Sequence, residues 1–289
     1  GLKKIKPDII MLSTCQQGQN GPYAMHPGMG YQLPALAGFT YLLGWPGKDI
    51  SAPYGAYTDF PPPYFGIVAI LAALDYRRRT GNGLYIDLGQ YESSIHFLIP
   101  PILDYTVNGR VASRTGNRCS YAAPHGAYPC QGEDRWCAIA VFTDQEWQSF
   151  CQVIGEPPWT KDPRFATVLG RKQNEDELDR LVGEWTSQFS APEVMKMMQA
   201  AGVPAGVVQI EEEAFQDPQL RYRHHYWQLK HPVIGEHAYV EAAFRLSKTP
   251  AELKMPGPCL SEHNEYVCTK ILGMSDAEFL ELLGEGIFE

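Results

Sequence analysis

The run Asp59-Phe60-Pro61-Pro62-Pro63 restricts this chain more than any other segment. Proline fixes φ and carries no N–H, so a triplet cannot lie within a helix interior or a sheet ladder but can lead into a helix. Phe65, Val68, Ala69, Ala72 and Leu74 predict a helix from Tyr64 to about Arg79, begun by the last proline and stopped by Thr80-Gly81-Asn82-Gly83. Asp59 then falls just upstream of a helix N-terminus, where unpaired N–H groups and the helix dipole favour negative charge. Two readings stay open at this point. One is a carboxylate held charged for nucleophilic chemistry; the other, commoner for aspartate, is a residue that only precedes or caps a helix.

Around this segment the pattern alternates. Ile9–Ser13 and Leu84–Leu88 read as apolar strands, with a small-residue helix at about 31–43 between them. A further helix follows at 91–107, with a kink expected at Pro100-Pro101. Strand, helix, strand, helix in this order implies a parallel sheet and an α/β class. The composition shifts near 108–118, and segments 126–130 and 135–141 then predict an antiparallel pair. Capping boxes at Thr143-x-x-Glu146, Ser190-x-x-Glu193 and Ser275-x-x-Glu278 each open a helix. The block from about 119 to 225 reads as a smaller α+β domain. The chain lacks an initiating Met and enters its first strand abruptly, which implies a preceding segment.

Composition narrows the function. A net charge of −9 argues against a nucleic-acid binder. No apolar run is long enough to span a bilayer. Seven cysteines without C-x-x-C spacing fit reduced thiols in a cytoplasm. Metal binding is not expected, because His224, His225 and His231 lack carboxylates at ligand spacing. An anionic ligand needs only a local basic pocket. Candidates are Arg77, Arg78 and Arg79 at a helix end, and Arg110, Arg114 and Arg118 in the connector. Gly18-Gln19-Asn20-Gly21 is either an anion-binding nest or an ordinary tight turn.

These segments together resemble the class III family of CoA-transferases, which includes formyl-CoA transferase, carnitine CoA-transferase and α-methylacyl-CoA racemase-like enzymes. The matching residues are Gly18–Tyr23, Ala35-Leu36-Ala37-Gly38, Gly55-Ala56-Tyr57-Thr58-Asp59 and Ile70–Gly83. Ala201–Gly206, Leu246–Pro250 and Glu262-His263-Asn264 continue the match in order. The resemblance implies a Rossmann-like large domain, built from residues 1–115 and 229–289, with a smaller α+β domain inserted at 116–228. It implies an interlocked homodimer, or a heteromer, acting on an acyl-CoA and a small carboxylic acid. It also implies that Asp59 is the nucleophile, and that coenzyme A, as acyl-CoA substrate, meets Gly18, Gln19, Gly21, His26, Tyr57, Arg77 and Arg110.

Within that resemblance, two alternatives differ in chemistry. A racemase pairs its aspartate with a histidine in a Gly-His-Asp motif, and Met29 stands at that histidine's place; a thioether cannot exchange a proton. A non-catalytic subunit of a heteromeric transferase is the other alternative. The family's glycine-rich mobile loop corresponds to Cys119–Gly126, which is not glycine-rich, so His125 or Tyr121 is expected to line the pocket instead. Tyr31, Trp45, Tyr57, Phe60 and Tyr64 suggest an aromatic pocket for an aryl-containing acid.

Overall fold

In the computed structural model, which describes residues 1–288, the chain divides into two units, Gly1–Val208 and Gln209–Glu289. The first begins with a short helix, α1 (Leu2–Ile5), and strand β1 (Met11–Cys15). β1 runs parallel to β2 (Tyr85–Gly89), with Met11 opposite Tyr85 and Cys15 opposite Gly89. The expected parallel pairing is therefore present, shifted slightly C-terminal to the apolar run because the ladder bonds begin only at Met11.

Between the two strands lie α2 (Gln32–Ala37), α3 (Phe39–Leu42) and α4 (Pro61–Thr80). The single helix expected over 31–43 is broken at Gly38, whose φ of +97° is a left-handed conformation open to glycine at little cost. α4 differs from expectation at its start. It begins at Pro61, so all three prolines sit in its first turn. Their φ suits a helix, but residues 61–63 bring no N–H groups to the place where a helix normally leaves them unpaired. Phe60 is the N-cap and gives no side-chain cap bond. The expectation that backbone donors at this helix start hold Asp59 charged is therefore overturned: those donors do not exist.

α4 ends at Gly81, whose φ is +75° and whose N–H bonds to the Arg77 carbonyl. It approaches the ladder closely at Gly66, where a Cβ would stand 3.4 Å from Leu88 Cδ2 and 3.5 Å from Leu12 Cδ2. Elsewhere on α4 Tyr64, Ile67, Val68 and Leu71 are exposed. After β2 come α5 (Gln90–Ile95) and α6 (Ile99–Asn108). The expected kink is a 3-10 turn at His96–Leu98, after which Pro100 and Pro101 occupy the first turn of α6.

The remainder of this unit is an antiparallel sheet with helices on one face. β3 (His125–Pro129) pairs with β4 (Trp136–Ala140), as expected, followed by α7 (Asp144–Val153), α8 (Val168–Gln173), α9 (Glu175–Thr186) and α10 (Ala191–Ala200). A third strand, β5 (Ala205–Val207), pairs with β4 and was not apparent from sequence. Phe150, Phe165, Leu178, Val182, Val194 and Met198 are fully buried beneath the sheet. The first capping box closes as expected: Glu146 N–H donates to Thr143 Oγ1 at 3.1 Å and Thr143 N–H to Glu146 Oε2 at 3.0 Å. At α10, Glu193 Oε2 accepts from the Ser190 N–H at 2.9 Å.

Two arginines organise this layer. Arg171, fully buried, donates to the Ala123 carbonyl at 2.8 Å and the Phe165 carbonyl at 3.2 Å, with its guanidinium 4.7 Å from the Trp147 ring centroid. Arg118 joins the connector to α9 through Asp179 at 2.6 Å and Asp176 at 2.7 Å. Burial works against the Arg118 charge, but those carboxylates outweigh it and push its pKa above the usual guanidinium range.

The second unit holds α11 (Glu211–Gln216), α12 (Pro218–Tyr222), the antiparallel hairpin β6 (Tyr226–His231) and β7 (Gly235–Val240), and α13 (Asp276–Gly284). Ser275 Oγ accepts from the Glu278 N–H at 3.2 Å, forming half of the third expected box. Among the described residues, no helix is long and apolar enough to cross a membrane.

Candidate active site

Asp59 closes a 3-10 turn, Tyr57–Asp59, in which its own N–H bonds to the Ala56 carbonyl at 2.8 Å. The residue is exposed, and its two oxygens face different surroundings. Oδ1 accepts a hydrogen bond from Gln90 Nε2 at 3.0 Å. Oδ2 takes no hydrogen bond from the described residues and faces Gly30, where an added Cβ would lie 3.0 Å away. Gln90 follows directly on the last residue of β2, so the carboxylate sits at the C-terminal end of the parallel ladder, where open α/β sheets hold their ligands.

Asp59 and Gln90 share a cavity of about 330 Å³ with Leu12, Thr14, Leu88, Gly66 and Ile70. Aliphatic side chains of β1, β2 and α4 make most of its wall. The aromatic pocket expected here is corrected: among the described residues no aromatic side chain lines this cavity. Tyr31, Trp45, Phe60 and Tyr64 are largely exposed, and Tyr57 packs edge-on against Phe39 at 5.3 Å.

The other expected ligand residues are dispersed. Gly18 and Gly21 both have positive φ, and the loop they frame wraps a carboxylate of this chain: the Gln19 N–H donates to Asp87 Oδ2 at 3.0 Å. His26 is exposed in a turn, with its ring 6.2 Å from Tyr23. Arg77 donates to the Asp8 carbonyl at 3.5 Å, and the helical rise places it about 24 Å along α4 from Pro61. Arg110 pairs with Asp104 at 2.6 Å, and that guanidinium holds the Asp104 carboxyl below its ordinary pKa. Neither arginine is brought to Asp59.

His125 lines a second, larger cavity of about 850 Å³ on the outer face of the antiparallel sheet, floored by Ala127, Ala138, Ala140 and Gly206. Its Nδ1 is 2.5 Å from the Asn117 carbonyl. Tyr121 stacks on Phe142 at 6.1 Å and is exposed. This cavity shares no lining residue with that of Asp59.

Gln90 and Gly30 were not singled out from sequence. Gln90 had a usable signal, since it is the first residue after a parallel strand. Gly30 had none, because its contact with Ala56 and Asp59 is purely tertiary.

Comparison with known proteins places the fold and then the family. The fold matches the crystal structure of a CaiB/BaiF family protein from Brucella suis, with a TM-score of 0.85 and 27% identity over 93% of this chain and 70% of that one. Residues 1–264 match the sequence profile of CoA-transferase family III, and the chain belongs to that family of α/β enzymes. Succinyl-CoA–D-citramalate CoA-transferase of Chloroflexus aurantiacus is 31% identical over 97% of this chain and 70% of its own length. The succinyl-CoA–L-malate CoA-transferase beta subunit of the same organism is 29% identical over 97% of this chain and 70% of its own.

Proposed function

We propose that this chain moves CoA from an acyl-CoA donor to a small carboxylic acid through covalent intermediates on Asp59. The observation that carries this reading is the asymmetry of the Asp59 carboxylate, with Oδ1 held by Gln90 and Oδ2 free at a solvent-open strand end. A nucleophile needs one unencumbered oxygen and a fixed orientation, and both are present.

The chemistry follows from that oxygen. Oδ2 attacks the thioester carbonyl and expels CoA thiolate, giving a mixed anhydride. The thiolate attacks Cγ of Asp59, forms the aspartyl-CoA thioester and releases the donor acid. The acceptor carboxylate attacks the same Cγ, and the returning thiolate then takes the new acyl group and restores Asp59. The relatives' names make succinyl-CoA the natural first donor to test and a dicarboxylic acid the first acceptor. The aliphatic cavity favours such a small acid over an aryl one.

Met29 speaks against racemisation. It precedes Gly30, where an added Cβ would stand 3.0 Å from Asp59 Oδ2, and it offers a thioether where a racemase requires a proton carrier. Assembly with a second copy or a related subunit is supported by the exposed apolar side chains of α4 (Ile67, Val68, Leu71) and α6 (Ile102, Leu103, Val107).

The test is trapping. The full-length protein incubated with succinyl-CoA and then hydroxylamine or borohydride should carry a modification at Asp59, and Asp59→Asn should lose both adduct and turnover. An Asp59→Asn variant that still transfers CoA would sink the proposal.

A further inference from the structure

The geometry points to Gln90 as a second catalytic residue, one that fixes which oxygen of Asp59 reacts and stabilises the oxyanion that forms on the aspartyl group itself. This rests on the covalent Asp59 reading and deepens it. Catalytic accounts of an acyl-enzyme usually concern the substrate carbonyl. Here Cγ of Asp59 is attacked twice per cycle, once by thiolate and once by the acceptor carboxylate. Each attack converts the aspartyl carbonyl oxygen into an oxyanion that needs a donor.

Gln90 Nε2 is 3.0 Å from Oδ1, within hydrogen-bond range of that oxygen in the carboxylate, the carbonyl and the oxyanion. A neutral amide suits all three states. It donates to each, and it carries no charge that would hold the carboxylate too tightly to react.

The residue is also built into rigid structure. Gly89, buried at the end of β2, precedes it. The Gln90 carbonyl accepts from Ser94 Oγ at 2.8 Å, and the next N–H, of Tyr91, donates to the Gln16 carbonyl at 2.8 Å. Donors that act on developing charge need this kind of support.

The bookkeeping of atoms makes the inference testable. When Oδ2 attacks the donor, thiolate attack on Cγ breaks the Cγ–Oδ2 bond and that oxygen leaves with the donor acid. The acceptor's attacking oxygen takes its place and stays on Asp59 when the final acyl C–O bond breaks. Oδ1 remains bound to Cγ throughout. If Gln90 holds Oδ1 from one cycle to the next, only one position of Asp59 ever exchanges. Without that hold, rotation about Cβ–Cγ scrambles the two oxygens and both exchange.

The experiment runs the full-length protein through many turnovers with succinyl-CoA and an acceptor acid labelled in its carboxylates with heavy oxygen, then weighs the Asp59 peptide. Wild type is expected to carry one heavy oxygen. Gln90→Met, close in size but without a donor, is expected to carry two, with kcat lowered about 100-fold and KM for the acyl-CoA little changed. Gln90→Leu, which also lacks a donor, should behave like the Met variant. Two heavy oxygens on wild-type Asp59 would overturn the inference even if both variants failed to fold, as would Gln90→Met with wild-type kcat and a single label. No label on Asp59 in active wild type would instead refute the covalent reading beneath it.

Discussion

Gly30 offers the sharpest test of how the Asp59 turn is placed. An alanine Cβ at residue 30 would stand 2.1 Å from Ala56 Cβ, and 3.0 Å from both Ala56 Cα and Asp59 Oδ2. Non-bonded carbons settle near 3.5–4.0 Å, so the two methyls must part by roughly 1.5 Å. The strain is purely steric, because Gly30 is not among the glycines with positive φ. Ala56 cannot yield alone: its carbonyl accepts the Asp59 N–H at 2.8 Å, so the turn moves with it and carries the carboxylate away from Gln90. A displacement of about 1 Å at a reacting group costs on the order of 100-fold in rate, or about 2.7 kcal/mol. Gly30→Ala is therefore expected to lower kcat/KM for succinyl-CoA-dependent transfer about 100-fold, measured by chromatographic assay of acyl-CoA product, with thermal unfolding followed in parallel. Adding Ala56→Gly removes the 2.1 Å contact but leaves those at 3.0 Å, so it should restore part of the rate. Gly30→Ala enzyme with wild-type turnover would show that the turn is not positioned by this contact.

Two other perturbations test the antiparallel layer. Arg171→Met should lower stability by about 2–4 kcal/mol in denaturant unfolding, since the buried Ala123 and Phe165 carbonyls each lose a donor; an unchanged midpoint would mean that water or repacking satisfies both. Burial pushes the Cys137 thiol up to about 11, and Cys151 likewise to about 11. The thiolate is the reactive form and grows with pH only as that value is approached, so at pH 8 only about one in a thousand of either thiol is ionised. Iodoacetamide mapped by mass spectrometry should modify these two some 100-fold more slowly than an unperturbed cysteine, and rapid labelling of Cys137 at pH 8 would contradict its burial in the sheet.

How far the sequence revealed this architecture depended on the range of the interactions involved. Local signals carried well. The Thr143 box and the β3–β4 hairpin follow from spacing and turn chemistry within short windows, and the parallel pairing of β1 with β2 follows from the alternation of strand and helix between them. β5 was hidden because a strand of Ala205–Val207 is too short for any alternation to register. Asp59 could be placed from sequence, but its environment could not. The bond from Gln90 spans 31 positions, and the Gly30 contact depends on where a turn of the chain comes to rest. The helix-start argument failed for a local reason instead: three consecutive prolines satisfy the φ of a first turn while deleting the donors that would have reached the carboxylate.

That deletion has a consequence for turnover. An aspartate that capped α4 would surrender its cap bonds each time its carboxylate became an anhydride or thioester, and the first turn of the helix would loosen and re-form with every cycle. Prolines at 61–63 set the first turn by ring geometry instead, with no bond to Asp59 to lose. On the covalent reading proposed above, chemical change at residue 59 would be uncoupled from the integrity of the helix beside it, and the scaffold the next substrate meets would be the one the last substrate left.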